Sequence, residues 1–214
     1  LIRRQTHAAE LLTAAAITTD GQWAATGGST GTLKLWRLDA DQEPLTIAGH
    51  EARITQMVFS HDGSRLAVAD TAGRLRFYSV PDGRAIADFE IGCLHVALSP
   101  DGQQAVVLSG GVETEMAEDG GVRTSWNSDS LLLLDVNAQQ QRVLQEQTTG
   151  LTCQFSRRGT EFLVLQTGGT VAIFDAAGNS QTTLESIDQH FVAAAFVQGG
   201  THVVTASRDR LSVW

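Results

Sequence analysis

The sequence predicts an all-β fold made of five copies of a four-stranded antiparallel unit, and three observations carry that prediction. A turn signature recurs: Asp20-Gly21, Asp62-Gly63, Asp101-Gly102, Arg158-Gly159 and Gly199-Gly200 follow one another at 42, 39, 57 and 41 residues, and self-similarity at such a period marks a repeat architecture. A large side chain stands at a fixed distance: counted from the second residue of each pair, Trp36, Tyr78 and Phe174 come 15 residues later and Trp214 comes 14 later. Between these landmarks lie apolar runs too short for helices and bounded by turn residues, which read as strands buried on both faces. A four-stranded unit of about 40 residues with both faces buried is a β-propeller blade, and only neighbouring blades can cover it.

The first unit, about residues 1–37, has Leu12, Ala15 and Ile17 before its turn, then Ala24-Ala25-Thr26, then Leu33 and Leu35 leading into Trp36. Helix formers crowd residues 8–15, but register with Ile54, Met57 and Phe59 of the next unit places a strand there. The second unit, about 38–79, adds a more polar outer strand at Leu45-Thr46-Ile47, then Leu66-Ala67-Val68, and Leu75 and Phe77 before Tyr78. The third, about 80–135, has an outer strand at Arg84-Ala85-Ile86, Val96 and Leu98 before the turn, and Ala105-Val106-Val107 after it. Its Leu131 and Leu133 reach the large-residue column at Leu134 only after 32 residues. The fourth, about 136–175, carries Phe162-Leu163-Val164 and then Val171 and Ile173 before Phe174. The fifth, about 176–214, carries Val203-Val204-Thr205 and then Leu211 and Val213 before Trp214.

Composition narrows the function. The chain has 214 residues, 42% hydrophobic, which suffices for a substantial core. Lys+Arg 15 against Asp+Glu 24 gives a net charge of −9, with Lys34 the only lysine and no basic run. Phosphate neutralisation dominates nucleic-acid affinity, so DNA or RNA binding is not expected. No apolar stretch approaches the roughly 20 residues of a membrane span. Cys93 and Cys153 are too few and too far apart for a disulfide scaffold or a zinc site. They match Ile54 and Met57 in the repeat and read as buried, reduced thiols. No cofactor, metal or catalytic constellation is expected: the six histidines, His7, His50, His61, His95, His190 and His202, are scattered over different units without a ligand motif. The chain lacks an initial methionine and the apolar core of a signal peptide, so it reads as an excerpt or a processed product. A cytoplasmic location is expected, or a periplasmic one if a leader was removed.

Gly49-His50, the run from Ile54 to Gly63, Leu75-Arg76-Phe77-Tyr78 and Leu33-Lys34-Leu35-Trp36 together resemble units of the WD-repeat β-propeller family. The resemblance extends over essentially the whole chain, though its dipeptides are degenerate: Gly-His occurs once, and the Trp column holds Trp only at 36 and 214. In that family a His, a Ser/Thr, an Asp and the Trp form a hydrogen-bonded relay within each blade. The resemblance implies structural roles for Trp36, His50, Tyr78, Asp209 and Trp214. No unit holds all four members; in the second, Ala72 stands where the Asp is sought. Paired apolar replacement of hydrogen-bonding groups is nearly neutral, so His50→Ala is expected to cost less than about 1.5 kcal/mol. Such rings usually have seven blades, so either five close a small ring or the chain is cut from a larger propeller, the reading preferred here. Arginine, alanine and glutamine usage suggests a bacterial source.

The third unit's surplus lies in an insertion, residues 110–130, where glycine pairs bracket an acidic segment with Glu113, Glu115, Glu118 and Asp119, followed by Trp126. Long loops in compact repeats are commonly functional. By the resemblance, this one stands over the face that carries the Gly-His turn. It reads either as an acidic, aromatic-anchored contact or channel lid, or as a plain hairpin extension of its two strands. The function expected is a non-enzymatic scaffold that presents a propeller face to a protein partner or fused domain, with Arg53, the insertion acids, Trp126 and Arg208 as contacts. The alternative is a small-ligand or enzymatic propeller that uses the central channel, with His95, His190 and the insertion as lid.

Overall fold

The computed structural model describes residues 10–116, 122–148, 150–185, 191–197, 200 and 202–214. They form five antiparallel sheets and, among the described residues, no helix. Blade 1 comprises β1 (Leu12–Ile17), β2 (Trp23–Gly28), β3 (Leu33–Arg37) and β4 (Leu45–Ile47). Blade 2 comprises β5 (Ile54–Phe59), β6 (Arg65–Asp70), β7 (Arg74–Ser79) and β8 (Ala85–Glu90). Blade 3 comprises β9 (Cys93–Leu98), β10 (Gln104–Met116), β11 (Val122–Asp135) and β12 (Gln140–Glu146). Blade 4 comprises β13 (Gly150–Phe155), β14 (Glu161–Gln166), β15 (Val171–Asp175) and β16 (Ser180–Leu184). Blade 5 shows β17 (Ala193–Val197), β18 (His202–Ala206) and β19 (Leu211–Val213). Within every sheet the strands neighbour one another in chain order, the arrangement of a β-propeller blade.

Repeat register overrides helix propensity at the start, where β1 pairs with β2 from Leu12↔Gly28 to Ile17↔Ala24. The outer strand that opens each of the second to fifth sequence units hydrogen-bonds to the preceding unit, as β4 does to β3 and β8 to β7. Blade and sequence repeat are therefore offset by one strand.

The Asp-Gly turns are built alike. In the first three blades the aspartate accepts from a hydroxyl two residues back, at 2.6 Å for Thr18–Asp20, 2.6 Å for Ser60–Asp62 and 2.7 Å for Ser99–Asp101. It also accepts from the backbone N–H two residues on. Gly21, Gly63 and Gly102 come next at φ 68°, 72° and 66°, which a residue with a Cβ adopts only under strain. The hydroxyl of Thr18 and the N–H of Gln22 hold the Asp20 carboxyl below its ordinary range.

The inner strands of blades 1 to 4 each carry a register shift, between Leu12 and Ala14, Ile54 and Gln56, Leu108 and Ser109 (opposite β9), and Gly150 and Thr152. A bulge inserts one residue and re-aims the side chains beyond it. It explains a spacing that strict alternation does not: Ile54, Met57 and Phe59 all enter one core although the first two lie three positions apart.

Each core lies between two blades. Ala25, Leu33 and Leu35 of blade 1 pack against Ile54, Met57, Phe59, Leu66, Val68 and Tyr78 of blade 2. The same columns recur with Leu75 and Phe77 against Val96 and Leu98, with Leu131 and Leu133 against Cys153 and Phe155, and with Val171 and Ile173 against Phe191 and Phe196. Polar side chains clasp successive inner strands. Thr13 donates to the Ile54 carbonyl at 2.6 Å, Gln56 accepts from the Val96 N–H at 3.0 Å, and Gln154 accepts from the Phe196 N–H at 3.0 Å. Packing of this kind joins blades 1 to 2, 2 to 3, 3 to 4 and 4 to 5; blade 5 and blade 1 share none comparable among the described residues.

Candidate interaction face

One face of the blades is defined by the turns between second and third strands, together with the lead-in to each inner strand. The Thr71 N–H, in the β6–β7 turn, donates to the Arg53 carbonyl at 2.9 Å, which fixes Arg53 on that face. Arg53 is exposed there. Arg208 and Asp209 are exposed in the β18–β19 turn on the same face, at the far end of the chain of blades.

In blade 2 the Gly49-His50 lead-in is locked from within. His50 Nδ1–H donates to Asp70 Oδ2 at 2.6 Å, with the two side chains 0% and 1% exposed. Asp70 Oδ1 in turn accepts from the N–H groups of Ala72 and Arg74, so one carboxylate closes the β6–β7 turn and holds the histidine. The relay acid is therefore Asp70, the last residue of β6, and not a residue at the Ala72 position. Burial pushes the His50 imidazole below its ordinary pKa, against the opposing pull of Asp70. The rest of the relay is absent from this blade: Val68 occupies the hydroxyl position, and neither His50 Nε2 nor the Tyr78 hydroxyl has a hydrogen-bond partner. Removing one member of a buried pair costs about 3–5 kcal/mol, so the geometry raises the expected cost of His50→Ala above the figure that the degenerate sequence suggests.

Blades 1 and 5 keep the other half. Trp36 Nε1–H donates to Thr26 Oγ1 at 2.7 Å, and Trp214 Nε1–H donates to Thr205 Oγ1 at 2.9 Å. Lys34 lies over the Trp36 ring at 5.7 Å, while Phe191 meets Trp214 edge to face at 6.2 Å.

A groove of about 500 Å³ opens beside Gly49, lined by Glu51, Asp70, Arg74, Arg76 and Glu90 among others. Its cations are already paired: Arg76 Nε donates to Asp88 at 2.9 Å, and Arg74 bonds both Asp88 and Glu90.

The insertion is a hairpin extension. β10 and β11 stay paired from Gln104↔Asp135 to Met116↔Val122, with one irregularity at Ser109 and Gly110. Residues directly opposite in an antiparallel pair share a face. The register sets Val112 opposite Trp126, Thr114 opposite Thr124 and Met116 opposite Val122, with Glu113 opposite Ser125 and Glu115 opposite Arg123 between them. Glu118 and Asp119 lie outside the described residues, as do His7 and His190.

His95, one of the two channel candidates, is taken up between blades. Its Nε2 meets Thr152 Oγ1 at 3.1 Å, and its Nδ1 faces Cys153 Sγ at 3.4 Å and the Cys153 N–H at 3.5 Å. Burial lowers its pKa and pushes the neighbouring Cys93 thiol up to about 12. Both cysteines are free thiols, and no three metal-ligating side chains gather among the described residues.

Residues 15–100 match the profile described as the anaphase-promoting complex subunit 4 WD40 domain. Over 71 residues, 33% of this chain and 16% of the relative, the sequence is 34% identical to angio-associated migratory cell protein of Homo sapiens, and equally to that of Pongo abelii. Over 215 aligned positions, 83% of this chain and 23% of the relative, it is 23% identical to periodic tryptophan protein 2 homolog of Dictyostelium discoideum. The matches thus span less than a quarter of the length of these curated relatives. None of them is bacterial, so the source suggested by residue usage is not borne out.

Proposed function

We propose, starting from blades of the WD40 repeat family, that this chain is a non-enzymatic interaction scaffold whose contact with a protein partner centres on the β10–β11 ribbon. WD40 domains typically bind protein partners, and sites in rigid repeats concentrate on their added segments. The ribbon's register carries the reading. Where the second strands of blades 1, 2 and 4 have six residues, β10 has 13, and the surplus pairs Val112 with Trp126, Thr114 with Thr124 and Met116 with Val122, alternating with the pairs Glu113–Ser125 and Glu115–Arg123. Protein interfaces rest on a few aromatic and apolar anchors ringed by polar groups. Trp126 is then the anchor, the acids set orientation, and Arg53 and Arg208 supply outlying contacts. The channel alternative is weaker because Thr152 and Cys153 already engage both ring nitrogens of His95.

Quantitative affinity capture by the full chain from cells of its source organism tests this. Trp126→Ala should lower recovery of the specific partners at least about tenfold, the loss of a central aromatic anchor. Glu113→Lys with Glu115→Lys should lower it less, and Arg53→Glu or Arg208→Glu least. Unchanged recovery with Trp126→Ala would remove the ribbon from the contact.

A further inference from the structure

The turn that opens each second strand sets one side chain at an equivalent place in successive blades. A Ser or Thr N–H donates to its carbonyl, which identifies the position as Trp23, Arg65, Gln104 and Glu161 in blades 1 to 4. The first two of these reach toward the following blade. Trp23 packs on the core shared by blades 1 and 2. Arg65 lies so close to Gly102 of blade 3 that a Cβ there would collide with its stem. Its Nη2 then donates to Asn137 Oδ1, also of blade 3, at 3.0 Å.

Gln104 is shorter than either, and at its position a cavity of about 460 Å³ stands between blades 3 and 4. Pro100, Asp101, Gln104, Asp135 and Asn137 of blade 3 line it, with Arg158 of blade 4. Gln104 and Asp135 pair at the end of the β10–β11 hairpin remote from the ribbon, so the cavity opens on the opposite face. Its two carboxylates are oriented by their own turns. Asp101 Oδ1 accepts from the Ser99 hydroxyl at 2.7 Å and from the Gln103 N–H at 3.1 Å, and Asp135 Oδ1 accepts from the Ala138 N–H at 2.8 Å. Asp101, Asp135 and Arg158 are all exposed, and none of them forms an ion pair among the described residues.

We propose that this cavity receives an arginine side chain of a protein partner, its stem along Pro100 and its guanidinium on the Asp101 and Asp135 carboxylates, as Arg65 fills the preceding gap from within. Arginine fits better than lysine because its planar fork of donors serves two carboxylates at once, while its apolar stem covers a wall. Two carboxylates against one cation favour a positive ligand. Arg158 opposes it from the blade 4 wall and limits the affinity. The contact is additional to the ribbon, on the other face, and stands or falls separately from it.

Amide NMR spectra of the full chain, titrated with the peptide Ac-Gly-Arg-Gly-NH2 to about 20 mM, test this at the Kd of about 1–10 mM expected of one side chain. Saturable shifts should fall on the amides of Gln103, Gln104, Asn137 and Ala138. Ac-Gly-Lys-Gly-NH2 should bind more weakly and Ac-Gly-Gln-Gly-NH2 not at all. Asp101→Asn and Asp135→Asn keep the Oδ1 acceptors of their turns and should each weaken binding about two- to fivefold, whereas Arg158→Gln should tighten it by a similar factor. Gln104→Arg supplies the side chain from within and should abolish peptide binding. Gln104 is half-buried and the other three positions are exposed, so each variant should keep the parent's spectrum away from the cavity. Absence of saturable shifts at the four amides overturns the proposal, as does a lysine or glutamine peptide that binds equally well, or a Gln104→Arg chain that still binds like the parent.

Discussion

Blade 2 and blade 1 hold opposite halves of one hydrogen-bonded relay. Blade 2 keeps the acid and the imidazole, Asp70 and His50, but has Val68 and Tyr78 where the hydroxyl and indole belong. Blade 1 keeps the hydroxyl and the indole, Thr26 and Trp36, and blade 5 does the same with Thr205 and Trp214. In blades 3 and 4 the pair is apolar together, Val107 with Leu134 and Val164 with Phe174, and all of these are buried. The difference shows that the relay is two separable couples. A couple replaced whole by apolar groups costs little, whereas half a couple leaves a buried polar atom without a partner. Blade 2 bears an unpartnered atom where its couple would have met the missing hydroxyl, at His50 Nε2.

The largest effect should come from cutting the buried couple. Asp70→Ala strips His50 and two turn N–H groups of their acceptor, and it should destabilise the chain by about 3–5 kcal/mol in denaturant unfolding. His50→Ala should rank next at about 3 kcal/mol. A loss under about 1 kcal/mol for either, the size of an ordinary hydrogen bond, would mean that packing alone holds blade 2.

A sharper comparison puts a hydroxyl back. Val164→Thr places an unpartnered hydroxyl in the apolar core between blades 3 and 4 and should cost about 1–3 kcal/mol. Val68→Thr offers a donor to His50 Nε2 and should be neutral or stabilising by up to about 1 kcal/mol. Equal losses at both sites would show that the missing hydroxyl is not what blade 2 lacks.

The smallest effect is on pH dependence. Burial depresses the His50 pKa in the folded chain, while the unfolded chain takes up that proton from about pH 6.5 downward. The unfolded state then binds more protons, so stability should fall as pH drops from about 7 toward 5. His95 is depressed by burial too and acts in the same direction. Unfolding curves at about pH 7 and 5 should show a shallower fall in His50→Gln and in His95→Gln. A steeper fall in the variants would reverse the assigned sign.

Much of this was legible along the chain because a propeller repeats its columns. The Asp-Gly turns located the second strands, since an aspartate that accepts the N–H two residues on, followed by a glycine at positive φ, is a local device. The large-residue column marked the end of each third strand. Asp70 was missed because a position counted along the sequence pointed into the turn, at Ala72. The carboxylate comes instead from the strand's last residue, on the same face as Leu66 and Val68. Its signal was an acid in the otherwise apolar run Leu66–Asp70. The insertion's composition left a contact or lid and a plain hairpin extension equally open, and only the structure showed that its two strands stay paired.

The sequence by itself determined the number of blades, the strands within them and the identity of the apolar columns, because those arise from local turns and from alternation. Tertiary structure alone decided which columns are covered. Ile54 is fully buried because Leu33 and Leu35 of the neighbouring blade pack with it, not because of its own strand. Burial depends on whether a neighbouring blade is present to exclude water, and no residue encodes that for itself.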